Sequence, residues 1–372
     1  MKKFFKSYMA ATLSVVAAIA IMVLWHFGVI DVGSLLAIPF IGMAQQSFQQ
    51  QWQVNPTLTA PLQMHRQQNF IGGKVLVEAP ADSMWIRVPS WAKDNVIIVQ
   101  GKRGIGGPTN VIRPQKNGFS DVILEEYDAA YPLDWTLAQN KTFNMQMYAT
   151  LVAGDICALW QEKEIADLVT TAANYASGHS NSSLSVKWDQ VTDVTLESGG
   201  VNSIGVLITD AANTIKSKHG VLPNACAMGF NVWQKALGKN PELLAIVKGV
   251  VARRPVYDDL KMLFPFLTTI NIGVASYFVQ SDVDSDGLPV GTFVDLWGDD
   301  FLLYYDPALE TTDLQANMLA PHFGNTFVMN GFPAADNYTT EGGKVMNFRA
   351  TKVMKPAILS NDLGYLFKGV LS

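Results

Sequence analysis

Charge is scarce in this chain. Of its 372 residues only 16% are Asp, Glu, Lys or Arg, against about 25% in an average soluble protein. Apolar residues make up 49%, so there is more surface to hide than a solitary globule covers. That deficit implies extensive subunit contact or a membrane. Basic runs are absent and the net charge is −5, which argues against gripping nucleic acid through Lys/Arg clusters. A mildly acidic protein can still sit beside DNA. Cysteine is limited to Cys157 and Cys226, both in apolar surroundings. Buried reduced thiols are the expectation, a disulfide stays open, and the lack of any CxxC pattern sets a zinc site aside. The five histidines (His26, His65, His179, His219, His322) are scattered and form no HExxH. No G-x-S-x-G elbow occurs, and Gly101 to Gly107 lacks the phosphate-loop order. No internal repeat is evident. Nothing here supplies catalysis, so neither an enzyme nor a cofactor is expected.

What is present begins with an unusual N-terminal stretch, residues 1–43. Lys2, Lys3 and Lys6 precede an apolar run from Met9 to Trp25, and no formal charge appears between Lys6 and Asp31. That is about the 20 residues needed to cross a bilayer, with the lysines holding the N-terminus in the cytoplasm. Residues 8–30 are therefore a candidate for membrane contact. A natural start at Met43 and an apolar extension buried between subunits compete with that reading; a processed leader stays open, although the apolar region is long for one and no A-x-A site follows.

Residues 44–73 open as a glutamine-rich joint and continue as an extended arm, because Pro56 and Pro61 discourage helix. Residues 74–128 form a long hairpin region. Strands are expected at 74–79, 84–88, 96–100, 110–113 and 121–128, around a flexible, basic-tipped loop at 101–108. Residues 129–187 hold a long helix over 144–175. Met145, Tyr148, Val152, Ile156, Leu159, Ala166, Val169 and Ala173 recur on one face, interrupted by Lys163. Glu162, Lys163 and Glu164 read as a solvated or subunit-bridging face of it. A compact region, 188–297, is expected to carry helices at 204–218, 230–237, 241–251 and 257–264. Its strands are expected at 225–228, 269–274 and 276–280, with Gly238 closing the second helix. Residues 292–305 read as a strand pair turning at Gly298-Asp299. The remainder, 298–372, is expected to return edge strands at 327–329, 344–353 and 365–370 to the first region.

One motif has metal-ligand spacing. Asp282-Val-Asp-Ser-Asp-Gly287 places Asp282, Asp284 and Asp286 as in a calcium loop. The twelfth position, where a bidentate Glu belongs, is Phe293. That makes a polar surface turn the simpler reading, and no metal is otherwise implied.

The most informative stretch is residues 220–249: a Pro223-Asn224 corner, a small buried strand, then Phe230, Trp233 and Leu237 at helical spacing. It resembles a segment of the major capsid proteins of tailed bacteriophages, the Hong Kong ninety-seven-type fold. Other segments resemble that family in the same order. They are Asn55-Pro-Thr-Leu-Thr-Ala60, Ala158-Leu-Trp-Gln-Glu-Lys-Glu-Ile-Ala-Asp-Leu168, Asp295-Leu-Trp-Gly-Asp-Asp-Phe-Leu-Leu-Tyr-Tyr305, Pro321-His-Phe-Gly-Asn-Thr-Phe327 and Asn361-Asp-Leu-Gly-Tyr-Leu366. The resemblance implies an α+β fold with an extended N-arm, a long β-hairpin loop, a spine helix with β-sheet (peripheral domain) and a compact α/β axial domain. It implies a head-shell subunit without an active site, self-assembling into hexamers and pentamers of an icosahedral shell. Such a shell encloses double-stranded DNA of a phage or prophage without specific binding and is assembled in the host cytoplasm. Scaffolding, portal and decoration proteins are the partners so implied. A shell of the same fold that holds cargo enzyme, as in encapsulins, and a membrane-anchored envelope protein are the alternatives. The first 43 residues depart from the family pattern.

Overall fold

The computed structural model describes residues 55–372 apart from 65–68, most of 90–118, 139–143, 185, 192–202, 251–252, 284–288 and 308–320. The expected N-terminal apolar run, most of the hairpin tip at 101–108 and the strands at 96–100 and 110–113 lie outside the described residues.

In chain order the elements are α1 (Pro56–Met64), α2 (Gly72–Val75), β1 (Glu78–Ala81), β2 (Trp85–Pro89), β3 (Phe119–Ile123), β4 (Glu125–Asp134), α3 (Trp135–Ala138) and the long α4 (Met145–Val169). Then come β5 (Ser180–Asn181), α5 (Ile204–His219), β6 (Ala225–Gly229), α6 (Phe230–Lys235), α7 (Pro241–Val250), α8 (Leu260–Leu263), β7 (Thr269–Gly273), β8 (Ser276–Val283) and β9 (Pro289–Asp295). The chain closes with β10 (Phe301–Tyr304), β11 (Gly324–Met329), β12 (Ala334–Thr340), β13 (Val345–Ile358) and β14 (Gly364–Phe367).

Two five-stranded sheets organise these elements. In the first, β13 is central: β4 runs antiparallel along one side, β12 and β11 share the other, and β1 adds parallel to β11. The second has the order β5-β14-β10-β6-β7. Its core alternates with the pleat, as period-two side chains must. Cys226, Met228, Phe301, Leu303 and Phe367 face a cluster with Ile208 and Ile215 of α5, Val232 of α6 and Leu243 of α7. Ala225, Ala227, Leu302, Tyr304 and Leu366 face the opposite way, onto Val75 of α2 and Ile165, Ala166 and Val169 of α4. Helices thus cover both faces of the second sheet.

The helix α4 belongs to both sheets. Its first half lays Ala149, Ala153 and Cys157 on the first sheet against Leu133, Phe348, Ala335 and Ala350; its last two turns lie in the core of the second. Asn144 caps it by accepting from the Met147 N–H at 3.1 Å. It stops at Val169, short of the expected Tyr175. Thr170 and Thr171 turn their hydroxyls back onto the Ala166 and Asp167 carbonyls, and Asn174 donates to the Leu168 carbonyl. These side chains satisfy the last carbonyls and end the helix. At 25 residues it is about 37 Å long.

Several expectations are corrected. Residues 56–64 are helical, with Pro61 inside. Pro56 occupies the first helical position, where no N–H is needed. Tertiary packing holds the rest: Leu62 is buried against Ala153 and Cys157, and Thr59 exchanges hydrogen bonds with the Ala335 backbone. Residues 74–75 end a helical turn, and the strand starts only at Glu78. The expected strand at 84–88 is β2, paired with β3 at the base of the long hairpin. The strand expected at 121–128 is split at Leu124 between β3 and β4. Residues 292–305 are not one strand pair: β9 pairs with β8, whereas β10 enters the second sheet between β6 and β14. β14, expected in the first region, is also in the second sheet, and β13 is central, not an edge. Gly238 lies within a 3-10 turn, Leu237–Lys239, that carries the chain on past α6. Phe230 is partly exposed, whereas Trp233 and Leu237 are buried as expected.

Candidate functional site

Glu162 is where α4 changes partners. It was expected on a solvated or subunit-bridging face, yet it is 2% exposed and bonded within the chain. Its Oε1 accepts from the Ile71 N–H (2.9 Å) and Trp297 Nε1 (2.7 Å), and its Oε2 from the Gly72 N–H (2.7 Å). The carboxylate therefore ties the spine to the start of α2 and to Trp297, the second residue past β9. Burial pushes its pKa up, and the three donors pull the other way. The fit is close: a Cβ on Gly72 would lie 2.5 Å from Glu162 Oε2, and one on Gly273 would lie 2.1 Å from the Trp297 ring. Both carboxylate oxygens are engaged by backbone or indole N–H groups, so this is a structural clamp. Of the three neighbours, only Lys163 is a surface charge in an ion pair, with Asp167.

A second polar knot joins α4 to the first sheet. Lys352 donates to Glu78 Oε1 (2.8 Å) and Gln161 Oε1 (2.5 Å), and Gln161 Nε2 donates to the same Glu78 oxygen (2.9 Å). Beside it Arg349 forms a fork onto Asp336 (2.9 and 2.5 Å) beneath the Tyr338 ring.

Elsewhere, chemistry is sparse. Both cysteines are free and buried; desolvation pushes the Cys157 thiol up to about 11 and that of Cys226 to about 12, which makes both poor nucleophiles. A cleft of about 340 Å³ is lined by Ser203, Thr209, Asp210 and Glu242, with no histidine or cysteine in its wall. Asp284 and Asp286 lie outside the described residues, and Asp282 is in β8. Phe293, in the place of the missing Glu, stacks edge-on against Phe278 at 5.2 Å. Among the described residues no group of His, Cys, Asp or Glu is arranged to hold a metal, and no helix is long and apolar enough to cross a membrane.

The uncovered apolar surface is more telling. The expected stripe on α4 exists, but Met145 packs on the first sheet while Tyr148 turns outward at 53% exposed, with Ile156 exposed further along and Trp160 beside it. The buried face is the neighbouring one, Ala149, Ala153 and Cys157. Tyr131 and Tyr127 of β4 extend the outward face, touching Tyr148 and Trp160 respectively. Two thin ribbons behave similarly. On β2–β3, Ile86, Val88 and Val122 turn inward; Trp85, Phe119 and Ile123 turn outward, with Arg87 lying over both aromatic rings and paired to Asp121 (2.9 Å). On β8–β9, Phe293 is 74% exposed, flanked by Val290 and Val294. Two-stranded ribbons are marginal on their own, and large apolar faces of this kind mark contact surfaces.

No protein-family profile matches the chain. It is 27% identical over 317 residues to the major capsid protein of Burkholderia phage BcepMu, an alignment covering 85% of this chain and 96% of that one. Among solved structures, a phage-related protein from Bordetella bronchiseptica RB50 superposes with a TM-score of 0.65 at 20% identity, covering 85% of this chain and 97% of its own. Alignment along nearly the whole of a phage capsid protein, a shared fold, and apolar faces left for partners agree: this chain is a relative of the tailed-phage major capsid proteins, with their fold.

Proposed function

We propose that the subunit tiles a closed icosahedral shell as hexamers and pentamers, assembled in the host cytoplasm, and that the shell encloses double-stranded DNA without gripping it. The observation that carries this reading is the 27% identity sustained over 96% of a phage major capsid protein. The scarcity of charge and the outward Tyr148, Trp85 and Phe293 faces support it, since a shell's work is done by buried contact area. The absence of basic runs suits a container held closed by its own contacts. In this reading residues 188–297 form the axial domain, 129–187 the spine and peripheral domain, and 74–128 the long hairpin region, joined by 44–73 as the arm and 298–372 as the closing strands. The work is structural, not enzymatic. Scaffolding, portal and decoration proteins are the further partners, and residues 8–30 are the segment whose membrane contact needs testing.

Expression from Met1 and, in parallel, from Met43, with size exclusion and negative-stain microscopy, tests the proposal. Closed particles of megadalton size from the Met43 version are the expected result and would mark residues 1–42 as dispensable for closure. Small, detergent-requiring species from both versions would overturn it in favour of a membrane-anchored protein.

A further inference from the structure

His179 sits just before β5 with its side chain wholly buried. Its Nδ1 is 3.1 Å from the Gly364 carbonyl oxygen; a carbonyl only accepts, so Nδ1 carries the proton of a neutral ring. Nε2 is then a bare acceptor, buried and with no partner among the described residues. The backbone around it holds the C-terminal strand: Leu366 N–H donates to the His179 carbonyl (3.0 Å), Lys368 N–H to the Asn181 carbonyl (2.9 Å), and Ala176 N–H to the Asn361 carbonyl (3.1 Å). β5 pairs with β14 through only Ser180 and Asn181.

The charged groups facing this ring act in both directions, Asp362 favouring a second proton and Lys218 and His219 opposing it, and burial outweighs them. From α5 come Lys218 and His219, and from the turn before β14 comes Asp362. Asp362 is already engaged, its Oδ1 lying 2.7 Å from His219 Nε2. The short approach to His219 holds the Asp362 carboxyl below the usual range. Tyr365 of β14 packs its ring 6.3 Å from the imidazole, and Asp210 of α5 acts on that tyrosine.

We propose that His179 is the pin of an acid-released clasp: a proton on its Nε2 frees residues 176–181 from β14 and leaves that strand as an open edge of the second sheet. The inference rests on the fold and not on shell formation. Burial holds this imidazole below the ordinary histidine range, so the folded form resists a proton that the opened form accepts. For a histidine depressed in this way, stability is complete above about pH 6.5 and is lost as the pH falls below that value.

Hydrogen exchange at the Leu366 and Lys368 amides of the full chain, corrected for intrinsic rates, tests this between pH 7.5 and 5.5. Protection should fall by about tenfold per pH unit below about pH 6.5, and His179→Gln, whose amide can still donate to Gly364, should abolish that slope. His219→Gln should keep it. An unchanged slope in His179→Gln, or one lost only in His219→Gln, overturns the proposal. Should His179→Gln fail to fold, the wild-type His179 ring resonance decides: titration at an ordinary histidine value overturns the clasp, and depressed titration upholds it.

Discussion

In the second sheet, β6 and β10 are buried along their whole length between two layers of helices. In the first, β4 exposes most of its residues, β12 is buried only over Ala334 to Asp336, and α1 and α4 cover one face. The second sheet finds its burial within one chain and needs little charge to hold it. The first is fastened by paired charges, Arg349–Asp336, Lys352–Glu78 and Lys355–Glu125, and borders the outward faces of α4 and β2–β3. One part of the subunit is a finished core, and the other is one side of a contact surface.

The sharpest way to break that contrast is at the hinge between the two. Glu162→Ala orphans three buried donors and should lower stability by about 3–5 kcal/mol, read by denaturant unfolding; a loss under about 1 kcal/mol would show that Glu162 fastens nothing. Overpacking comes next. Ala227→Leu, between two helical layers, should lose about 1–3 kcal/mol, and Ala153→Leu on the first sheet should lose less because its outer side can give. Equal losses would remove the distinction between the sheets. Below these lies Asp259, whose carboxyl the Arg253 fork (2.7 and 2.7 Å) holds below the usual range. Its contribution is present above about pH 4 and lost as the pH falls further, so Asp259→Asn should flatten the acid limb of a stability–pH curve by about 1 kcal/mol or less. The smallest effect on the subunit is the most informative. Ile123→Lys, at a side chain 63% exposed on the outward face of β2–β3, should leave unfolding within about 0.5 kcal/mol of wild type while reducing particle yield, scored by microscopy; intact particles would show that this outward face is not a contact.

The sequence is legible where a residue's surroundings lie within its own chain. The α5 helix and β6 are read almost to the residue because Ile204, Ile208, Ala211 and Ile215 are at helical spacing and Ala225 to Met228 is apolar throughout. On α4 the apolar stripe is visible, but periodicity shows which face is apolar and not whose core it enters. The small residues Ala149, Ala153 and Cys157 cover the home sheet, and the larger Tyr148 and Ile156 face out. Glu162 is hidden by its charged neighbours Lys163 and Glu164, although its spacing from Ile165, Ala166 and Val169 places it on their face. The β9–β10 separation is invisible locally, since a glycine turn between two apolar runs looks like a hairpin whether or not the runs pair. The α1 helix is masked by its prolines, which only packing against α4 outweighs.

Because α4 is one unbroken helix serving two cores, its register is shared between them. Each residue added or removed between Cys157 and Ile165 would turn one half by about 100° relative to the other, sending Ile165 outward and Ala153 off its sheet together. Length variation among relatives of this chain should therefore collect in the loops and be excluded from those seven intervening positions, a record that family alignments can reveal without any experiment on the protein.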